Sequence, residues 1–226
     1  MNCQEVLDKL KSLADPDYLE GMTHFAIHTK SALGVSAPRL RKLAKQIGSN
    51  HKLAMQLWRS GIYDARVLAA LIDDPEQVTK SQMNGWVRQF DNWGVCDACC
   101  GVLFDKTPFA WYKAVEWSKS KEEFVKRAGF VLMAALAVHD KKAPDKKFLP
   151  FLSIIKRHAD DERNFVKKAV NWALRQIGKR NIALNKKAVA VAKEIRKTDS
   201  PAARWIAADA LRELTSRKVL ARLKAS

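Results

Sequence analysis

The chain has 226 residues, 47% of them hydrophobic, which is enough to bury a sizeable core and excludes an intrinsically disordered protein. Its 41 Lys and Arg outnumber 24 Asp and Glu, for a formal net charge of +17. That excess suggests a polyanion partner, although a lysine-rich surface can also simply maintain solubility. The longest apolar run, "GFVLMAALAV" (129–138), is too short to cross a bilayer, and "MNCQEVLDKLKSLAD" reads as an amphipathic helix, not a signal peptide. The four cysteines (Cys3, Cys96, Cys99, Cys100) show no secreted disulfide spacing, so a soluble cytoplasmic protein is expected.

In chain order, "EVLDKLKSLA" places Val6, Leu10 and Leu13 on one helical stripe. "GVSAPRLRKLAKQIG" follows, with Ser36 as a candidate N-cap, Pro38 in the first turn and Gly48 as a C-cap. Further helices are predicted near 51–60, 63–73, 76–90, 92–104, 108–119, 121–138, 146–159, 162–178, 182–197, 200–213 and 215–224. No run alternates long enough to argue for a strand. The breaks, such as "DDPE", "DKTPF" and "HDKKAPDKK", are short and polar, so one continuous domain over 1–226 is expected.

"FVKRAGFVLMAAL" (124–136) echoes "FVKKAVNWALRQI" (165–177) at an offset of 41 residues, with weaker echoes at 202–214 and 63–72. A period near 40 built from paired helices predicts an all-α, right-handed superhelical solenoid of HEAT-like repeats, with an irregular helical bundle as the alternative. The concave face of such a solenoid would cradle a polyanion. The echoing helices carry Lys126, Arg127, Lys167, Lys168, Arg175 and Lys179, and residues 180–226 hold 12 Lys and Arg against four acids. A solvated basic outer face is the competing reading.

In "DNWGVCDACC" (91–100), Trp93 and Asp97 stand at i and i+4, on one helix face. Either Asp97 is an ordinary surface charge and Trp93 a core residue, or the pair belongs to a site. Arg127 and Trp172 lie on the helices expected to face the same concavity. Two indoles, a carboxylate and a guanidinium suit cleavage of an N-glycosidic bond. The carboxylate would stabilise an oxocarbenium-like sugar and orient water. Indole faces would hold a cationic alkylated nucleotide, and the arginine a neighbouring phosphate.

These stretches resemble the DNA alkylation repair proteins, the AlkD-like DNA glycosylases, over nearly the whole chain from about residue 20. "LGVSAPRLRKLAK" (33–45) resembles the family's Gly-x-x-x-Pro-x-x-Arg helix opening, here Gly34, Pro38 and Arg41. "NWGVCD" (92–97) matches its Trp followed four residues later by Asp. "FVKRA" (124–128) is similar to the segment of its active-site arginine, and "FVKKAVNWALR" (165–175) to that of its second tryptophan. The resemblance implies Asp97 as catalytic carboxylate, Trp93 and Trp172 as walls, and Arg127 as the basic companion, converging on one nucleotide. It implies DNA contacts at Phe25, Ser36, Arg41, Lys126, Lys168, Arg175 and Lys179.

The implied activity is monofunctional hydrolysis of cationic N-alkylated purines, such as 7-methylguanine and 3-methyladenine, from duplex DNA for base excision repair. The lesion would be bound from its backbone side. The protein would act as a monomer, associated with the nucleoid when on DNA, with no cofactor, metal, membrane or obligate protein partner. The sequence departs from the family at Asn92 and Gly94, where members often carry a second Trp and an extra Asp. Some relatives that lost the carboxylate only bind DNA, and this chain keeps it. A non-catalytic protein binding damaged or branched DNA is the leading rival. A protein–protein HEAT scaffold would explain the fold but not the charge.

Two signals are discounted. Cys96, Cys99 and Cys100 lack the second ligand pair of a structural zinc site and fall at helical spacing with Val95 and Leu103, as buried core. His24 and His28 have no Glu between them and are read as packing or surface residues.

Overall fold

A computed structural model describes residues 1–27 and 30–225; His28 lies outside the described residues. They form fourteen α-helices and two short 3-10 turns, with no strand. None of the helices is long and apolar enough to cross a membrane. The chain divides into two compact units, Met1–Thr107 and Pro108–Ser226.

The first unit holds α1 (Cys3–Ser12), α2 (Pro16–His24), α3 (Ala37–Ile47), α4 (His51–Arg59), α5 (Tyr63–Ile72), α6 (Lys80–Val87) and α7 (Trp93–Val102). Side-chain caps start most of them. Asn2 and Glu5 form a reciprocal capping box on α1, and Asn50, Thr79 and Asn92 each accept a backbone N–H at the start of α4, α6 and α7. The cap at Thr79 is why α6 begins four residues later than its hydrophobic pattern suggests. Helix α5 is the centre of the unit, packing on α3, α4 and α7. Trp58 of α4 and Trp86 of α6 stack with ring centroids 3.9 Å apart and planes 2° from parallel.

Helix α2 falls in a stretch given no helix by periodicity alone, yet its signals are local. Asp15 accepts the Tyr18 N–H, and Pro16 occupies the first turn. Its end is a Schellman motif: Ala26 adopts φ 57°, its N–H reaches Thr23 O, and the Ile27 N–H reaches Met22 O. Met22 and Ile27 bury the accompanying apolar contact, which leaves Phe25 on the outside of the turn.

The second unit holds α8 (Ala110–Ser118), α9 (Glu123–His139), α10 (Leu149–Arg157), α11 (Asn164–Gly178), α12 (Ile182–Ile195), α13 (Pro201–Leu214) and α14 (Arg217–Lys224). It is built as two layers. Helices α8, α10 and α12 neighbour one another in one layer, α9, α11 and α13 in the other, and each α9-layer helix also packs across on its partner. The 41-residue echo is thereby given a physical meaning, because equivalent residues meet across adjacent repeats. Phe124 and Phe165 lie with ring centroids 5.3 Å apart. The apolar run of α9 is buried throughout, with Phe130, Leu132 and Met133 fully enclosed. Each such side chain contributes about 1.5–3 kcal/mol by leaving water.

Candidate active site

In the first unit, Asn92 supplies the cap that begins α7: its side-chain oxygen accepts the Val95 N–H at 2.9 Å. Trp93 is therefore the first helical residue and Asp97 follows one turn later on the same face, both partly exposed. The indole is fixed from the other side, because Trp93 Nε1 donates to Phe25 O at 2.7 Å. The Schellman turn that closes α2 thus orients Trp93 and leaves Phe25 itself 69% exposed.

The departures at Asn92 and Gly94 have local causes. A Cβ at Gly94 would collide with the Tyr63 hydroxyl, so glycine there makes room for a phenol at the start of α5. Burial pushes the Tyr63 hydroxyl well above its ordinary pKa, and the charges of Asp64, the neighbouring Tyr18 and Asp97 act in the same direction. Tyr63 is accordingly a neutral phenol set close to Asp97. Periodicity gave no reason to select it, since "GIYD" reads as a break; the signal is the Gly94 vacancy, visible only once α5 and α7 are packed.

Below α3, Asp64 is fully buried and accepts N–H bonds from Leu33 (2.6 Å) and Val35 (2.8 Å), fixing the approach to that helix. Ser36 occupies the N-cap position but its hydroxyl makes no capping bond. Arg41, one turn into α3, is exposed. The cysteines of "CDACC" face inward: Cys96, Cys99 and Cys100 are fully buried, and burial pushes the Cys99 and Cys100 thiols well up.

In the second unit, Arg127 is only 6% exposed, and its Nη1 donates to Phe165 O at 2.7 Å, tying α9 to the start of α11. Lys126 is buried as well, and its ammonium reaches Asp161 at 2.8 Å. Arg163 completes that cluster by bonding Asp161 through Nε and Nη2. Burial alone would push the Asp161 carboxyl up, but bonds from Arg163 and Lys126 and their charges hold it well below the usual carboxylate range.

Helix α11 shows Lys168 exposed and Trp172 half-buried one turn on. Its flank toward α13 forms a ladder at a constant spacing of four. Lys167 lies 5.6 Å from the Trp205 ring centroid, and Asn171 donates to Asp209 at 2.7 Å. Arg175 pairs with Glu213 at 2.8 Å and Asp209 at 3.3 Å, and Lys179 with Glu213 at 2.7 Å. Of the basic residues picked from sequence, Lys126, Arg175 and Lys179 are therefore engaged with carboxylates inside their own unit, while Arg41 and Lys168 face solvent.

What these units resemble agrees with their build. A solved structure from a family of proteins related to the HEAT-like repeat DNA glycosylases, with affinity for branched DNA structures, superposes with a TM-score of 0.79 at 22% identity. The match covers 94% of this chain and 95% of that one, so the HEAT-like repeat fold expected from the 41-residue echo is the observed fold. No curated protein matches the sequence. The family model described as "DNA alkylation repair enzyme" matches residues 6–214, a span that includes Trp93, Asp97, Arg127 and Trp172. The chain belongs to the DNA alkylation repair enzyme family.

Proposed function

We propose that the protein is a monofunctional DNA glycosylase that removes cationic N-alkylated purines, with 7-methylguanine and 3-methyladenine as the representative substrates. The observation that carries this reading is the Trp93–Asp97 pair, an oriented indole and a carboxylate one turn apart on α7, both open to solvent in part. A protein that only binds a polyanion gains nothing from a carboxylate at its interface, since each negative charge weakens the attraction. A reaction that builds positive charge on a sugar does gain from it.

In this reading, the bond between C1′ and the base nitrogen breaks with its electron pair leaving on the base. The base is already cationic and departs neutral, so it needs no proton from the protein. Asp97 stabilises the oxocarbenium-like sugar, orients the water that adds at C1′ and accepts that water's proton, which passes on to solvent, giving free base and an abasic site. Tyr63, neutral across the physiological range, bears on Asp97 without competing for its charge. Trp93 offers a face to the cationic nucleotide, and the exposed Phe25, whose carbonyl holds that indole, is assigned to DNA contact. Arg127 and Trp172 are assigned to the same reaction by their match to the family's segments, and Ser36, Arg41 and Lys168 to phosphate or groove contacts. Lys126, Arg175 and Lys179, engaged with carboxylates, are given a supporting part in holding the second unit's surface.

A binding-only protein is the second reading, favoured by the branched-DNA affinity of the structurally similar protein. Incubating the protein with methylated duplex DNA and analysing the products separates the two. The proposal expects free 7-methylguanine and heat-labile abasic sites, with binding that weakens steeply as salt is added. DNA bound tightly, with no base released from any alkylated substrate, would leave the second reading standing instead.

A further inference from the structure

The α11–α13 ladder changes character at one rung. Asn171, Arg175 and Lys179 all meet carboxylates of α13, whereas Lys167 meets the face of an indole, Trp205. Trp205 is 42% exposed, although tryptophan is among the most favourable residues to bury. It stands on the second turn of a 14-residue helix whose start is anchored. Ser200 caps α13 and also donates to Glu162 at 2.7 Å, and Glu162 accepts the Ala202 N–H at 3.1 Å. The exposed ring is consequently carried on a rigid backbone. Lys167 is the cation over it, and Glu162 is the carboxylate that feels both Lys167 and the exposed Arg204, the latter paired with Asp199 at 2.9 Å.

We propose that Trp205 is a stacking platform for an unpaired DNA base, with Lys167 on a flanking phosphate. Inside a duplex both faces of a base are covered by its neighbours. A rigid, half-exposed indole can therefore take a base only where the strand is unpaired, as at a flap, gap or branch. Such stacking tolerates any base, because every base has a π-face. The inference rests on the DNA-binding part of the function proposed above and adds a class of substrate structure: duplex with a single-stranded extension.

The test uses the full chain and two duplexes with the same short 3′ flap, one carrying bases and one carrying abasic residues of equal charge. The wild type is expected to prefer the base-bearing flap by roughly tenfold, Trp205→Ala to lose that preference, and Trp205→Phe to keep most of it. Equal affinity of the wild type for the two flaps would overturn the inference while leaving DNA binding intact, as would an undiminished preference in Trp205→Ala. No binding of the wild type to either DNA would overturn the DNA reading and this inference with it.

Discussion

Asp161 illustrates how single residues set the second unit's behaviour. Its side chain is 9% exposed and holds both the Lys126 ammonium and the Arg163 guanidinium. Removing one member of a buried pair leaves the other charge uncompensated, so Asp161→Asn should lower the unfolding free energy by about 3 kcal/mol at neutral pH. The carboxyl is held below its ordinary range in the folded state, so its stabilisation is full above the unfolded value near 4. It is lost as pH falls toward the folded value. The gap between wild type and Asp161→Asn in urea unfolding should therefore narrow by about 1 kcal/mol per unit below pH 4. A gap that stays constant from pH 5 to pH 3 would show that the charge is not the cause. Single residues are also where the sequence was least legible. Lys126 sits beside Arg127 in "FVKRA" and reads as a surface cation, because nothing local reveals that Asp161, 35 residues away, folds onto it. Tyr63 was hidden for the same reason, since its value comes from the space that Gly94 leaves.

At the level of elements, legibility was high because helical periodicity and caps are local. The helices at 51–59, 63–72, 110–118 and 182–195 fall within a few residues of their apolar patterns. The exceptions are ends decided by a specific side chain, such as Thr79 at α6, and α2, whose short span carries more cap than stripe. The closeness of α8 and α9 could not be read in advance. A Cβ at Gly129 would collide with the Ser118 N and come within 2.9 Å of its Cα, so the two backbones touch there. Alanine in a helix interior normally stabilises by about 0.5–1 kcal/mol relative to glycine. Here Gly129→Ala should instead cost about 2–3 kcal/mol and lower the Tm by several degrees, because the obstacle is backbone and cannot rotate away. A Tm that rises would contradict that contact.

For the whole molecule, helical periodicity and the echo at 41 residues carried the fold class, and the HEAT-like structural match agrees with them. Of the candidate site, the pattern of Trp then Asp at i+4 foretold only that Trp93 and Asp97 share a face of α7. A basic composition presents its lysines and arginines as equals, although Lys126, Arg175 and Lys179 among them pair with carboxylates of their own unit. The proposed reaction turns on the carboxylate of α7. The most direct measurement is the single-turnover release of 7-methylguanine from methylated duplex DNA by wild type and Asp97→Asn, with DNA affinity measured in parallel. Asparagine keeps the shape and removes the charge, so excision should fall by about 100-fold or more while binding is retained or tightened. Base release by Asp97→Asn at the wild-type rate would contradict the assignment of Asp97 to the reaction.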